Sequence, residues 1–124
     1  MIFLDTNYLI RGLIKGTEES SHLLRWTETG TGLITNSLVW CEFITGPIGQ
    51  VEIELGWSLV GKTIHPFDQQ DAVLAAELFN ELGRPRSRRV DIMIAASAIN
   101  RQASLASANT SDFKQLREYG LSLV

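Results

Sequence analysis

The chain has 124 residues, 44% of them hydrophobic and 20% charged, and it carries a formal net charge of −3 at pH 7. No apolar run approaches the roughly 20 residues of a membrane span and the first residues lack the basic start of a signal peptide, so we expect a cytoplasmic protein with no membrane partner. The acidic balance argues against tight nucleic-acid binding through bulk charge alone, and one cysteine with two distant histidines excludes an intrachain disulfide and a zinc ligand set.

Short apolar runs typical of β-strands alternate along the chain with longer helical segments. The predicted strands span residues 2–4, 32–35, 63–67, 104–106 and 121–124. Helices are predicted from the N-cap Thr17 to Gly30, from position 36 or 37 to Gly46, across residues 48–60, from Asp68 to Gly83, and within residues 90–102 and 111–120. The sequence contains no linker or internal repeat, so we expect residues 1–124 to form a single domain.

This alternation predicts right-handed crossovers and a mostly parallel sheet of about five strands with helices on both faces. The expected fold class is therefore α/β. Ligands of such sheets bind beyond the carboxyl ends of the strands. Asp5 directly follows the first strand, which places its carboxylate at that edge.

Four acidic residues come from segments at this edge: Asp5 after the first strand, Glu42 within the helix after the second, Asp91 at the start of VDIMIAASAI, and Asp112 after the strand at 104–106. The first three are expected to point towards core-like surroundings. Taken singly, Asp91 or Asp112 could cap a helix and Glu42 could pair with an arginine. Taken together, four converging acids require a shared counter-charge, for which a divalent cation is the simplest choice.

All-oxygen ligation selects a hard cation, Mg²⁺ or Mn²⁺, over zinc or copper. Such an ion lowers the pKa of a water that can attack a phosphodiester, so the acids indicate metal-dependent phosphodiester hydrolysis. The remaining acids have structural interpretations. Glu18, Glu19, Asp68 and Asp71 are predicted to lie in first helical turns, where the helix dipole favours them, and the others on solvated helix faces.

Four segments, LDTNYLI, SLVWCEF, VDIMIAASAI and SANTSDF, together resemble PIN-domain ribonucleases, and among them the VapC-type toxins of bacterial type II toxin–antitoxin systems. The resemblance runs from residue 1 to about residue 119. It implies a three-layer α/β/α PIN-like fold. It also implies a metal-binding acidic site at Asp5, Glu42, Asp91 and Asp112, with polar supports at Thr6, Asn7, Ser107 and Asn109.

The same resemblance implies a Mg²⁺-dependent endoribonuclease, with Mn²⁺ able to substitute, that cleaves transfer or ribosomal RNA at a restricted site. It further implies a homodimer and inhibition by a cognate antitoxin that threads a segment across the active site. Operator DNA would be bound only through the antitoxin. Two alternatives stay open: a housekeeping PIN nuclease without an antitoxin, and a weakly active PIN domain that binds a partner.

Two other Mg²⁺-binding α/β classes do not fit the sequence. A phosphoacceptor receiver domain needs an acid pair beside the first strand and a lysine after a late strand, but Lys114 lies in a predicted helix. A haloacid-type phosphatase needs a second aspartate at position 7, where this chain has Asn7. Both classes are therefore rejected.

The most basic stretch, RPRSRR, contains Arg84, Arg86, Arg88 and Arg89. Its arginines could contact RNA phosphates, pair with acids at a dimer interface, or belong to a solvated connecting loop. Tyr8 is bulkier than the aliphatic residue expected after DTN. It could narrow the cleft or pack beside it.

Overall fold

A parallel sheet of four short strands forms the centre of the molecule. The structure is a computed structural model that describes all of residues 1–124. The strands are β1 (Ile2–Leu4), β2 (Leu33–Ile34), β3 (Ser104–Ala106) and β4 (Ser122–Leu123), in the order β2-β1-β3-β4. Ile2 pairs with Leu33 on one side and with Ser104 on the other. All three strand pairings are parallel, as the sequence predicts.

Six α-helices and three 3₁₀ segments surround the sheet. The helices are α1 (Thr6–Gly12), α2 (Glu18–Glu28), α3 (Ser37–Thr45), α4 (Gln50–Leu59), α5 (Gln69–Glu81) and α6 (Arg89–Asn100). The 3₁₀ segments are Arg86–Arg88, Thr110–Asp112 and Lys114–Tyr119. None of the helices combines the length and apolar character needed to cross a membrane.

The sequence predicts a strand at residues 63–67, and this prediction is wrong. The segment forms only one isolated parallel bridge, between His65 and Asn36. The His65 N–H donates to Thr35 O, and the Ser37 N–H donates to His65 O. The next residue, Pro66, has no N–H and cannot extend the ladder. The sheet therefore has four strands rather than about five.

Helix α1 is not among the helices that the sequence pattern predicts. It begins directly after β1, and the Asp5 side chain at its N-cap accepts a hydrogen bond from the Thr6 N–H at 2.8 Å. Tyr8 and Leu9 are buried on its inner face. Gly12 lets α2 approach closely, because a Cβ at this position would overlap the Leu23 side chain.

The side chains of the sheet alternate between two apolar clusters, as the pleat of a strand requires. Phe3 and Leu105 join the larger cluster with the inner faces of α5 and α6. Leu4 and Ala106 join the smaller one with residues of α1, α2 and α3. The sheet is therefore covered on both faces, and the three-layer prediction is confirmed.

A buried acid connects the helices of the larger cluster. Asp71 is fully buried and accepts hydrogen bonds from Ser97 Oγ and Asn100 Nδ2, each at 2.8 Å. It also forms an ion pair with Arg101, whose Nη1 lies 3.0 Å from Asp71 Oδ2. Burial raises the pKa of Asp71, but the hydrogen bonds from Asn100, Ser97 and Arg101 outweigh it, so the pKa lies below its usual value. The predicted place of Asp71 in a first helical turn is confirmed, and the structure adds this connecting role, which the sequence pattern did not show.

We predict that Asp71→Ala lowers the free energy of unfolding by about 3–5 kcal/mol, because it removes the closest ion-pair partner of the largely buried Arg101 and leaves only Asp68, at 3.9 Å, as a charged partner. The pKa of Asp71 is lowered in the folded state, so the stabilisation is present above the unfolded-state pKa and is lost as pH falls through the folded-state value. Urea denaturation followed by tryptophan fluorescence measures the change. Exposed Glu77 on the same helix is the control, and a loss below about 1 kcal/mol for Asp71→Ala would contradict the role.

Candidate active site

The four acids predicted to form a site lie around the carboxyl edge of the sheet. Asp5 follows β1, Glu42 lies in α3, Asp91 lies in the first turn of α6, and Asp112 ends the 3₁₀ segment after β3. Asp5 is buried, with 6% of its surface exposed, and Asp91 is half-buried. Glu42 and Asp112 are exposed. A buried acid is thus flanked by acids that face solvent.

The charges of these acids act on one another. Burial raises the pKa of Asp5, hydrogen bonds from Ser107 and Thr6 lower it, and the charges of Glu42 and Asp112 raise it again, with a net upward shift. Burial also raises the pKa of Asp91, and the charges of Asp5, Asp112 and Glu42 add to this effect. The charges of Glu42 and Asp112 therefore act on both Asp5 and Asp91, and this edge of the sheet carries an excess of negative charge.

Two hydroxyl groups orient the acids. Thr6 Oγ1 donates to Glu42 Oε1 at 2.7 Å, and Ser107 Oγ donates to Asp5 Oδ2 at 2.9 Å. The backbone N–H of Asn109 donates to Ser107 Oγ at 3.1 Å, which fixes that hydroxyl in turn. Each carboxylate oxygen keeps acceptor capacity for a further ligand.

The two asparagines predicted as polar supports contact the acids less closely. Asn7 is exposed and its side chain makes no hydrogen bond within the chain. Asn109 is also exposed and contributes through its backbone, whose carbonyl accepts from the Asp112 N–H at 3.1 Å. Their amide groups remain accessible to a bound molecule.

The sequence predicts core-like surroundings for Glu42, and this prediction is wrong because the residue is exposed. The buried residues of α3 are Val39 and Phe43, and Glu42 lies beside them at the solvent margin of the helix. Its position still brings the carboxylate to the Thr6 hydroxyl. The one-residue offset from Phe43 decides the exposure, because adjacent helical residues point about 100° apart.

The donor set of this edge fits a hard divalent cation. All four groups are carboxylates, and their mutual repulsion marks an excess of negative charge that a cation would relieve. No group of three or more His, Cys, Asp or Glu side chains lies close enough to enclose an ion. A hard divalent cation can be held by one or two carboxylates, with waters as its remaining ligands. Asp5 and Asp91 would hold the ion, with Glu42 and Asp112 beside it.

Arg88 connects the start of α6 to the segment that carries Asp112. Its Nη2 donates to the Asp112 carbonyl at 2.5 Å, and its Nη1 donates to Gln115 Oε1 at 3.2 Å. Its charge also lowers the pKa of Asp91, against the net upward shift. Sequence reasoning placed Arg88 among four equivalent cations and missed this contact, which joins residues 24 positions apart.

The other arginines of RPRSRR differ in their surroundings. Arg84 and Arg89 lie over the Phe79 ring, with guanidinium carbons 5.4 and 4.7 Å from its centroid. Arg84 also donates to Asn80 Oδ1 at 2.6 Å. Arg86 is exposed and makes no side-chain hydrogen bond or ion pair. Among the four arginines it is therefore the one most available to a ligand.

Tyr8 packs in an aromatic cluster beside this site. Its hydroxyl lies 2.6 Å from His22 Nδ1, and its ring stacks on Trp26 with centroids 5.9 Å apart. The residue is buried, with 7% of its surface exposed. Of the two interpretations that the sequence left open, packing beside the cleft describes this position.

The family model of the PIN domain matches residues 2–119 of this chain. A search of curated proteins found no match to this chain.

Several solved structures share its fold. VapBC2 from Rickettsia felis, solved bound to a DNA fragment from its promoter, is 22% identical with a TM-score of 0.68, and the match covers 100% of this chain and 98% of the other. DNA-bound VapBC from Salmonella typhimurium is 21% identical with a TM-score of 0.71, over 99% and 96%. FitAcB from Neisseria gonorrhoeae is 18% identical with a TM-score of 0.71, also over 99% and 96%. At these identities the likeness concerns the fold.

We predict that Asp91→Asn raises the Tm at pH 7 in EDTA by at least about 2 °C. The pKa of Asp91 is raised in the folded state by burial and by the neighbouring acids, so its ionised form opposes folding at neutral pH. As pH falls through that raised pKa, the wild-type carboxyl takes up a proton and the difference shrinks. Thermal unfolding at several pH values measures the Tm difference between the wild type and Asp91→Asn, with Glu77→Gln as the control. An unchanged or lower Tm at pH 7 would contradict the electrostatic description.

Proposed function

The chain belongs to the PIN-domain family, and we propose that it is an endoribonuclease that hydrolyses RNA phosphodiesters with Mg²⁺, for which Mn²⁺ can substitute. PIN domains are nucleases that use divalent metal ions. The observation that carries the proposal is the position of four carboxylates around one edge of the sheet, where burial and then the neighbouring acidic charges raise the pKa values of Asp5 and Asp91. Transfer or ribosomal RNA is the proposed substrate, and the cytoplasm the proposed location.

Each residue of the site has a proposed role. Asp5 and Asp91 hold the cation, and Glu42 and Asp112 complete its surroundings. When bound, the cation supplies water of lowered pKa and neutralises charge on the phosphate. Thr6 fixes Glu42 by the 2.7 Å hydrogen bond, and the 2.9 Å hydrogen bond from the Ser107 hydroxyl fixes Asp5. Preoriented carboxylates avoid rearrangement during the reaction.

We propose further that this nuclease is the toxin of a toxin–antitoxin pair. The solved VapBC and FitAB complexes that share its fold support this role. The chain also exposes large apolar side chains on α1, α2 and α4 and in the turn after α1, namely Ile10, Ile14, Leu24, Val51 and Leu55. Two cavities of about 400 and 270 Å³ lie among these helices. Exposed apolar surface of this kind marks a protein interaction site, and an antitoxin helix with an apolar face would fit it.

A homodimer is proposed on the opposite side of the sheet. A cavity of about 340 Å³ between α5 and α6 is lined mainly by apolar side chains, including Ala72, Ala76 and Met93. Exposed Val73 and Val90 belong to the same two helices. A second copy of the chain would cover this face. VapBC complexes that share this fold were solved bound to DNA, and we propose that this chain likewise reaches operator DNA only through its antitoxin.

We predict that Asp5→Asn and Asp91→Asn each reduce metal-dependent RNA cleavage by ~10³-fold or more, because several kcal/mol of charge stabilisation are lost. Both variants should also abolish growth inhibition on expression. Cleavage of labelled RNA in Mg²⁺, Mn²⁺ or EDTA gives the rates, and Glu77→Gln is the matched control. A folded Asp91→Asn protein with the wild-type metal-dependent rate would overturn the nuclease mechanism and favour the partner-binding alternative.

For the basic segment, we predict that Arg86→Gln weakens RNA binding and reduces the slope of log affinity against log salt by about 0.7, the value of one phosphate contact on a single strand. Arg86 is chosen because its side chain has no partner within the chain. Arg25→Gln, an exposed cation in the last turn of α2, is the control. Fluorescence anisotropy across a salt series measures the slope. An unchanged slope for Arg86→Gln would leave the segment with a structural role only.

A further inference from the structure

We propose that a cavity beside the four carboxylates binds the nucleobase next to the cleaved phosphodiester and selects bases that carry an exocyclic amino group. This inference rests on the proposed RNA cleavage and names a specificity determinant for it. The residues that carry it are Tyr8, Glu18, Glu19 and His22. None of them belongs to the proposed metal site.

The cavity lies between α2 and the carboxyl ends of the strands. It has a volume of about 210 Å³ and is lined by Tyr8, Glu18, Glu19 and His22, with Ser107 among its remaining walls. The Ser107 hydroxyl is also the group that donates to Asp5 Oδ2 at 2.9 Å. The cavity and the carboxylate site therefore share a wall. A group bound in the cavity would be adjacent to a phosphate bound at Asp5.

Glu19 supplies an unpaired hydrogen-bond acceptor among the residues that line this cavity. The residue is only 9% exposed, and its Oε2 accepts from Arg11 Nε at 2.8 Å. Its Oε1 is buried and has no hydrogen-bond partner. Buried polar atoms are nearly always paired, so an oxygen left without a donor in a residue that lines a cavity indicates a ligand that brings an N–H group, reached by a small shift of the Glu19 side chain. Glu18 adds a second carboxylate at the exposed rim.

Aromatic rings form another part of the wall. Tyr8 stacks on His22 with centroids 6.4 Å apart and an interplanar angle of 16°, and their side chains are joined by the 2.6 Å hydrogen bond. Burial, followed by the charges of Glu19 and Glu18, raises the pKa of Tyr8 to about 12, so its hydroxyl stays protonated. Both carboxylates therefore lie close enough to act on the Tyr8 ring that lines the cavity.

These features match the recognition of an unstacked base. Sequence-specific RNA-binding proteins hold single-stranded bases against aromatic side chains and read their edges by hydrogen bonds. A carboxylate accepts from the exocyclic amino group of cytosine but finds no amino donor on uracil. The small volume suits one ring system rather than a larger ligand.

A cationic side chain of a partner protein could also occupy this cavity. The position of the cavity in the molecule disfavours such an occupant. The exposed apolar surface proposed for the antitoxin uses another face of α2, where Leu23, Leu24 and Thr27 line the 400 Å³ cavity. Glu18, Glu19 and His22 face the strand ends instead. The cavity therefore opens beside the reacting phosphate and apart from the exposed apolar surface proposed for the antitoxin helix; an antitoxin segment threaded across the active site would pass beside it.

The test compares cleavage of matched single-stranded RNAs. After the wild-type cleavage site has been mapped, RNAs are made with cytosine or uracil, and with guanine or inosine, at each position flanking the cleaved bond. At one of these positions we expect wild-type kcat/KM to favour the amino-bearing base by about 5- to 150-fold, the range of one good base contact.

Glu19→Gln is the decisive variant. Its carbonyl oxygen would remain with Arg11, which places the amide NH₂ where the unpaired Oε1 lies, so the preference should fall to unity or turn towards uracil and inosine. Glu18→Gln, at the exposed rim, should reduce the preference by a smaller factor and serves if Glu19→Gln does not fold. Glu28→Gln, an exposed acid at the end of the same helix, should leave the preference unchanged.

The outcomes separate this inference from the proposed function. Absence of any metal-dependent RNA cleavage by the wild type would overturn both. Cleavage with no base preference, or a preference unchanged in Glu19→Gln and Glu18→Gln, would overturn the base-binding cavity alone. Equal loss of rate on all RNAs would assign Glu19 a structural role through Arg11. Altered affinity for a protein inhibitor with unchanged base preference would assign the cavity to a protein partner, which also overturns the inference.

Discussion

The burial of acidic groups at the carboxyl edge of the sheet, together with repulsion from neighbouring carboxylates, is the constraint on which the site depends. The fold keeps Asp5 there by continuing β1 directly into α1, so that the same carboxylate ends the strand and accepts from the Thr6 N–H. Hydroxyls of Thr6 and Ser107 then fix two of the acids. These contacts orient the carboxylates but do not neutralise them, because the pKa values of Asp5 and Asp91 remain raised.

Asp71, the second buried aspartate, differs from Asp5 because its charge is balanced by a cationic side chain of the same chain. Asp71 is at least as buried as Asp5, yet its pKa is lowered, because Arg101, Asn100 and Ser97 supply a positive charge and donors. Asp5 receives two hydrogen bonds and no cationic partner from the chain. A buried charge without a partner is costly. The contrast supports a role for Asp5 in binding a cation from solution, at the expense of the stability of the free protein.

The sequence predicted the parallel α/β fold and placed the four acids at one edge of the sheet, because the alternation of strands and helices, helix caps such as Thr17 and the position of Asp5 after β1 are local features. It did not predict what depends on distant residues. The hydrogen bonds of Asp71 reach 26 to 30 positions along the chain, so a pattern of first-turn acids could not reveal them. The exposure of Glu42 was missed for a related reason, since tertiary packing decides which side of α3 is buried.

The central claim is that these carboxylates hold a divalent cation at the carboxyl edge of the sheet. Anomalous diffraction from crystals of the wild-type protein grown with Mn²⁺ tests it most directly, because the ion is located without reference to activity. The account predicts an anomalous peak within coordination distance of Asp5 and Asp91, and none in crystals of Asp91→Asn. A peak confined to other parts of the surface, or no peak at Mn²⁺ concentrations that support cleavage, would contradict it.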